Sequence, residues 1–418
     1  MDASERILAE VIKQIGTGAG VPTVRTVAAA AGVSPALVLY RFGDMAGVRD
    51  AALQTALEQE ETVWARRREV YLHAAITVAD LPGLLCELLN MESETMPDLG
   101  AVRWLRCFRS LRGSERFEPG IIATQEVHFW NELAERTGVS PAARQLIMQF
   151  YQGLAFGHVI ARRRPGFQAW SNALVHRFTL RLLGGAPGEA GSDSAFRAAA
   201  SQSQNGFGVE TSATMHPTRQ DILNAAMNIL VEEGVANVTH RRLASAAKAS
   251  ASSVIHFFES RQSLLKEAYI KLYVRLRTRS LDSLGNAARA DAPLTARQLA
   301  EGLQPPAAAN LLQNEADLAG LLNAMFEASR DAELSELAMA MFANTGSASR
   351  QLLTRLEGCR GHIGWLDAQI LRLVTNGQVM LRHDPKVSAS DEADHAGYVS
   401  ALQLLFGPAE FSSDTVLD

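Results

Sequence analysis

Hydroxyl and arginine side chains gather in two stretches of this chain in a pattern suited to holding phosphate. Near the N-terminus, Thr23, Arg25 and Thr26 begin one short apolar-periodic run, and Ser34, Pro35, Ala36, Leu37, Tyr40 and Arg41 lie on the next. Much later, Thr239, His240, Arg241 and Arg242 begin a similar run. Lys248 falls in the turn after it, Ser250, Ser252, Ser253 and His256 lie on the following run, and Arg261 stands just beyond. A Ser or Thr at a helix start caps the first turn. The backbone N–H groups there, with cations beside them, make an anion site. Such residues fit the phosphates of a duplex, which position a protein without reading sequence. For the base edges, Pro35, Ala36 and Leu37 offer apolar contact to thymine methyls, while Ser252, Ser253 and His256 offer weak or ambiguous hydrogen bonds.

Other chemistry is poorly represented. His128 and Glu132 are spaced to share one helix face, but two ligands without a third describe a solvated pair better than a metal site. No Ser-His-Asp set, P-loop or dinucleotide-binding glycine fingerprint occurs, so no catalytic residue, metal or cofactor is expected. Cys86, Cys107 and Cys359 are far apart and form no C-x-x-C pair. The formal net charge of −5 excludes a bulk polycation, so any contact with nucleic acid must rest on local patches. The opening MDASERILAE has no basic segment followed by an apolar one, and no run approaches the ~18 apolar residues of a membrane span. A cytoplasmic protein without membrane contact is expected.

The elements that position these residues are helical. Of 418 residues, 47% are hydrophobic and only 6% aromatic, Ala and Leu dominate, and alternating β-branched runs are few, so an almost purely α-helical (all-α) chain is expected. Ile7, Leu8, Val11, Ile12 and Ile15 mark a first amphipathic helix that ends near the glycines of GTGAG. Thr23 caps a second in which Val27, Ala28 and Ala31 face inward; Gly32 permits a tight turn; Ser34 caps a third carrying Leu37, Val38 and Phe42. This is the helix-turn-helix arrangement, whose last helix enters the major groove. The pattern recurs with Ile222, Leu223, Met227 and Leu230, then Thr239, then Leu243, Ala244 and Ala247, then Ser250 before Val254 and Phe258. After one inserted residue, Val27-Ala28 aligns with Leu243-Ala244, Ser34 with Ser250 and Phe42 with Phe258. VIARRRP, ending at Pro165, aligns with VMLRHDP, ending at Pro385, and final helices close in LRLLGG and LQLLFG. A tandem duplication is therefore expected. Its parts are residues 1–50 and 51–183, a Gly/Ala/Ser-rich linker at 184–217, and residues 218–268 and 269–410.

The strings TVRTVAAAAGVSPALVLYRFGD and VTHRRLASAAKASASSVIHFFESRQSL resemble the DNA-binding domains of TetR-family transcriptional regulators, and FEASRDAEL (326–334) is similar to the family's first ligand-domain helices. The resemblance implies two three-helix DNA-binding domains, each followed by a helical ligand-binding and dimerisation domain. Two departures stand out. Where the family often carries a phosphate-touching Tyr, this chain has Leu39 and Ile255, with Tyr40 and His256 one residue later. Where it commonly carries a Lys at the start of the fourth helix, the first copy has Met45 and the second Arg261. Lys248 also replaces the turn glycine of the second copy. The family's sensor cavities are lined by apolar and aromatic groups; here Met91, Trp104, Cys107, Phe108, Phe129, Trp130 and Tyr151 in the first unit and Met325, Phe326, Met341, Phe342 and Asn376 in the second occupy comparable segments. Plain core packing is the competing role for each.

Residues 1–50 hold five cations and five carboxylates, and residues 216–268 hold six and five, so backbone grip is expected chiefly from Arg241, Arg242 and Arg261 of the second copy. The last two helices of each unit, with Gly153, Gly157 and Gly377, are suited to close pairing, and the family's corresponding helices form a four-helix bundle across a two-fold axis. A 34-residue linker spans about 30 Å as a flexible coil. The expected protein is thus a ligand-responsive repressor acting as an intramolecular pseudo-dimer on an asymmetric double-stranded DNA operator, with a small-molecule effector; a homodimer of chains is the other assembly open to it. The alternative is a sensor or interaction scaffold whose DNA-binding heads have decayed.

Overall fold

The computed structural model describes residues 1–17, 22–73, 75–95, 97–111, 121–161, 164, 166–186, 215–282, 293–303, 308–344, 346–359, 361–382, 384, 386–387 and 391–407. Among them the chain is α-helical, without strands, apart from one isolated parallel bridge between Leu294 and Leu356. It divides into two compact units that do not follow chain order. Unit 1 comprises Met1–Arg162, Leu373–Ser390 and Ser413–Asp418; unit 2 comprises Arg163–Arg372 and Asp391–Ser412. Most of the expected linker, residues 187–214, and part of the GTGAG segment lie outside the described residues.

Unit 1 begins with α1 (Ala3–Thr17), α2 (Val24–Ala31) and α3 (Pro35–Phe42), and continues with α4 (Met45–Tyr71), α5 (Leu81–Thr95), α6 (Pro97–Leu111), α7 (Thr124–Thr137) and α8 (Pro141–Ala161). The helical stripe of α1 closes the first core: Ile7, Val11, Ile12 and Ile15 are buried against Val27, Ala28, Ala31 and Val38. That core also takes in Val48, Ala52, Leu53 and Ala56 of α4 and Val102 of α6. The expected boundary between residues 50 and 51 therefore falls inside α4, one 27-residue helix whose first turns belong to the head and whose later turns carry the buried Glu60, Trp64 and Arg67. Gly16 seats α1 on α6, since a Cβ there would stand 2.5 Å from the Cα of Asp98.

Unit 2 contains α9 (Phe167–Leu182), then α10 (Pro217–Glu232), α11 (His240–Ala246) and α12 (Ala251–Phe257), the long α13 (Arg261–Asp282), α14 (Ala296–Leu303), α15 (Ala308–Ser329), α16 (Ser335–Asn344), α17 (Ser347–Leu353) and α19 (Asp391–Phe406). Between α17 and α19 runs α18 (Trp365–Arg382), whose last residues, from Leu373, belong to unit 1. The second head is built like the first, with Ile222, Leu223, Ala226 and Leu230 of α10 buried with Leu243 and Val254. Arg219 holds Glu267 at 2.7 Å and lies over the Phe258 ring, tying α10 to α13. A Cβ on Gly320 of α15 would stand 2.8 Å from Val231 Cγ2, so here too the first helix of the head is seated closely on a helix beyond it.

Residues far apart in sequence meet inside each unit. In unit 1, Gly153 of α8 leaves room for the Leu373 carbonyl, and Gly377 for that of Gln149; added Cβ atoms would lie 2.1 and 1.8 Å from those oxygens. The Asp384 carboxylate accepts from the Ile121 and Ile122 backbone N–H groups at 2.5 and 2.9 Å. In unit 2, Arg177 and Arg181 of α9 both donate to Asp367, and each also donates to the His362 carbonyl. Burial pushes the Asp367 carboxyl up, but the hydrogen bonds from Arg177 and Arg181 outweigh it and hold the group below the ordinary carboxylate range. Removing one partner of such a buried pair costs about 3–5 kcal/mol.

The turns of the two heads differ in one measurable respect. Gly32 has φ 65° and its N–H closes α2. Lys248 occupies the corresponding turn with φ 51°, the positive-φ non-glycine residue among those described. A side chain there costs ~1 kcal/mol relative to glycine. Lys248→Gly is expected to slow hydrogen exchange in α10–α12, and Gly32→Ala to speed it in α1–α3, each by an amount corresponding to ~1 kcal/mol.

Candidate functional site

Each head presents a short exposed helix held by a hydroxyl cap. In the first, Thr23 Oγ1 accepts from the Thr26 N–H at 3.2 Å while Thr26 Oγ1 accepts from the Thr23 N–H at 3.0 Å, a reciprocal box that fixes the start of α2. Ser34 Oγ accepts from the Leu37 N–H at 3.2 Å, and Pro35 pre-sets the first turn of α3. Only Val38 of α3 is buried; Pro35, Ala36, Leu39, Tyr40 and Arg41 are exposed, Tyr40 at 84%, and Leu37 is half-buried. In the second head, Thr239 accepts from the Arg242 N–H at 3.3 Å and Ser250 from the Ser253 N–H at 3.0 Å. Val254 is the buried residue of α12, leaving Ser252, Ile255 and His256 exposed and Ser253 half-buried. The Ser250 hydroxyl also lies 2.7 Å from that of Ser252 and 2.8 Å from that of Ser253.

The cations divide differently from the sequence expectation. Arg242 forks onto Glu233, with Nη2 2.5 Å from Oε1 and Nε 3.3 Å from Oε2. That hydrogen bond lowers the Glu233 carboxyl and raises the Arg242 guanidinium. Arg261 donates to the carbonyls of Val235 at 2.7 Å and Val238 at 3.2 Å, bracing the loop before α11. Of the three arginines on which the second head's grip was expected to rest, Arg241 alone has no intramolecular hydrogen bond, and Lys248 joins it; in the first head neither Arg25 nor Arg41 is hydrogen-bonded, all among the described residues. His240 is exposed at the first turn of α11. Leu39 and Ile255, exposed at 44% and 59% beside the buried Val38 and Val254, are apolar contact candidates that sequence reasoning passed over. Their signal was helical phase: one residue past the single inward position, each must face solvent.

Residues 222–268, from α10 into α13, match the family of bacterial regulatory proteins, tetR family. The match supports a DNA-binding transcriptional regulator of that family, and it covers the second of the two heads. No curated protein matches the chain.

Behind the first head, the expected sensor residues fall into two aromatic groups. Trp64, Phe129, Trp130 and Tyr151 have ring centroids 5.0–6.0 Å apart. Trp104 and Phe108 pack around Phe156 at 4.8 and 6.3 Å. Met91 lies against the Tyr71 hydroxyl, and Cys107 is buried, with burial pushing its thiol up. In unit 2, Met325, Phe326, Met341 and Phe342 are buried. Asn376, expected with them, belongs instead to unit 1, because the end of α18 packs there; its side-chain amide is buried without a hydrogen bond. Glu132 is occupied by Arg68 at 3.1 Å and Arg136 at 2.8 Å, which leaves His128 without a metal-binding companion, and no group of three His, Cys, Asp or Glu side chains able to hold a metal occurs among the described residues. Among those residues, too, no helix is long and apolar enough to cross a membrane.

The first aromatic group encloses charges that sequence reasoning missed. Arg103 binds three carboxylates at once: Glu60 through Nε at 3.2 Å, Glu92 through Nη1 at 3.1 Å and Glu126 through Nη2 at 3.5 Å. Arg106 holds Glu60 at 2.7 Å and Arg67 holds Glu92 at 3.4 Å. Gln152 Nε2 and Trp130 Nε1 donate to Glu126 at 2.6 and 3.4 Å. Burial lifts the Glu126 carboxyl to about 7 against the pull of Arg103, with Glu92 and Glu60 adding to the rise. Glu92 stays below the ordinary range because Arg103 and Arg67 outweigh its burial.

Two outcomes follow from this geometry. Arg25→Ala, Arg41→Ala and Arg241→Ala are each expected to reduce the salt slope of binding to random-sequence DNA by about one counterion, whereas Arg242→Ala leaves it nearly unchanged, as read by fluorescence anisotropy across ionic strength. Glu126 takes up its proton more readily folded than unfolded, so its raised value stabilises the fold at low pH and that contribution is lost as pH rises from about 4.5 through about 7. Glu126→Gln is therefore expected to gain stability over the parent protein as pH rises through this window, by up to ~3 kcal/mol, measured by denaturant unfolding at pH values on either side.

Proposed function

We propose that the chain is a ligand-responsive transcriptional repressor in which two TetR-like units in tandem form a single-chain pseudo-dimer on an asymmetric operator. The observation that carries this reading is the pair of heads: two three-helix cores with the same Thr and Ser caps, each exposing a short helix with only Val38 or Val254 turned inward. The meetings of residues distant in sequence support a bundle closed within one chain, for Arg177 and Arg181 reach Asp367 in unit 2 while Gly153 and Gly377 open the α8 and α18 backbones to close approach in unit 1. Covalent linkage favours internal pairing through an effective concentration on the order of mM. The exposed helices read PALVLYR and ASSVIHF, so the two half-sites should differ. Ligand response is supported by α6, which lends Val102 to the core of the first head and carries Arg103 and Arg106 behind it. An effector that binds better to one head spacing than another would shift the population and weaken operator binding.

A second reading, a non-DNA-binding sensor or interaction scaffold whose heads have decayed, is favoured by the capture of Arg242 and Arg261 within the protein. In vitro selection with the full chain is expected to return an asymmetric site, and Arg25→Ala or Arg241→Ala should weaken binding to it about uniformly across sequences, in proportion to each head's share of the backbone grip. Light scattering should give the mass of one chain, 45.2 kDa. A perfect inverted repeat, or a stable dimer of chains, would refute the pseudo-dimer, and binding to random DNA without salt dependence would favour the second reading.

A further inference from the structure

The buried network of unit 1 has more free donors than acceptors. Nε and Nη2 of Arg67 and Nε and Nη1 of Arg106 are buried without a hydrogen bond, against Oε1 of Glu60 and Oε2 of Glu126 among the carboxylates. Both guanidiniums are nearly or wholly sealed from solvent. Charged donors left in that state carry a desolvation penalty that a strong acceptor would remove. A carboxylate is acceptor-only and meets a guanidinium edge with two oxygens. We propose that Arg67 and Arg106, beside the Trp64–Trp130 aromatic group, bind a small organic monocarboxylate through their unpaired nitrogens, the effector class of the regulator proposed above, on which reading this inference rests.

Charge balance selects a monoanion. With all six groups ionised, Arg67, Arg103 and Arg106 cancel Glu60, Glu92 and Glu126. The charged and titratable groups around Glu126 are Arg103 of α6, Glu92 of α5, Glu60 of α4 and Tyr151 of α8. Since the Glu126 carboxyl sits at about 7, it is the member ready to take a proton, which leaves the cluster at +1. One ligand carboxylate then restores neutrality, whereas a dianion would overshoot. The body of the ligand would meet rings: Arg67 lies 4.5 Å from the Trp64 ring centroid, and Trp130 and Tyr151 are 5.0 Å apart. Arrival of a carboxylate should therefore alter tryptophan fluorescence and draw one proton into the protein.

The test is a fluorescence titration of the full chain with acetate, hexanoate and benzoate, each beside its amide. At least one carboxylate is expected to bind at least about tenfold more tightly than its amide, with affinity falling about tenfold per pH unit above pH ~7.5. Arg67→Met should abolish the preference. Glu126→Gln, which keeps the shape and fixes the cluster at +1, should bind the same carboxylate with a flat pH profile, and that arm holds even if Arg67→Met does not fold. No preference for any acid over its amide, as when water satisfies the guanidiniums, overturns the site. Salt-dependent DNA binding measured on the same sample separates the two readings: DNA binding without carboxylate preference overturns this site and leaves the regulator standing. Carboxylate preference without DNA binding supports the site and overturns the regulator.

Discussion

Arg103 sits where four helices of unit 1 meet, and one side chain ties the other three to its own. Its three nitrogens each reach a different carboxylate, on α4, α5 and α7, while its own backbone belongs to α6. A hydrophobic core of the same size would tolerate sliding of one helix against another; a buried guanidinium does not, because losing one partner leaves an uncompensated charge in a low-dielectric interior. The aromatic group around it, from Trp64 to Tyr151, is packed to that fixed frame. The frame extends forward as well, since α4 runs without a break into the first head and α6 packs on α1. The position of the exposed helix α3 is thus tied, through two continuous helices, to an electrostatic knot in the interior.

Much of this was legible in the sequence, and what was not has a physical explanation. The stripes Ile7–Val11–Ile15 and Ile222–Ala226–Leu230 follow helical period, and Thr23, Ser34, Thr239 and Ser250 cap where their types demand. The buried charges were harder to see because Glu60 and Arg67 look like surface residues when scored singly. Only their place on the stripe of Leu53, Ala56 and Leu57, with Trp64 between, betrays that they face inward. Periodicity does not report where one core hands a helix to the next, and α4 runs unbroken across the expected boundary at residue 50. The placement of Asn376 in unit 1 depends on tertiary pairing between distant helices, which local pattern does not encode.

The two heads show how little a count of cations says about grip. The second carries one positive charge more, yet Glu233 and the carbonyls of Val235 and Val238 draw Arg242 and Arg261 inward to brace its own loop. The first has no arginine at the start of α4, where Asp44 caps the helix through the Gly47 N–H, and it leaves Arg25 and Arg41 at the surface. Rigidity and reach compete for the same side chains, and the second head gives Arg242 and Arg261 to rigidity while leaving Arg241 and Lys248 at its surface.

The exchange of segments between the units bears on how the chain can be divided. A polypeptide ending in the middle of 187–214 would keep α9 with Arg177 and Arg181 but lose Asp367, and would keep Gly153 without the α18 backbone that fills the space beside it. Its partner piece would carry the complementary vacancies. Neither half is a self-sufficient module, so the chain is suited to split-protein complementation. Two separately made fragments, each lacking buried contacts that the other supplies, would recover that packing by finding one another, and joining them in a single polypeptide makes that recognition a step in folding rather than an encounter in solution.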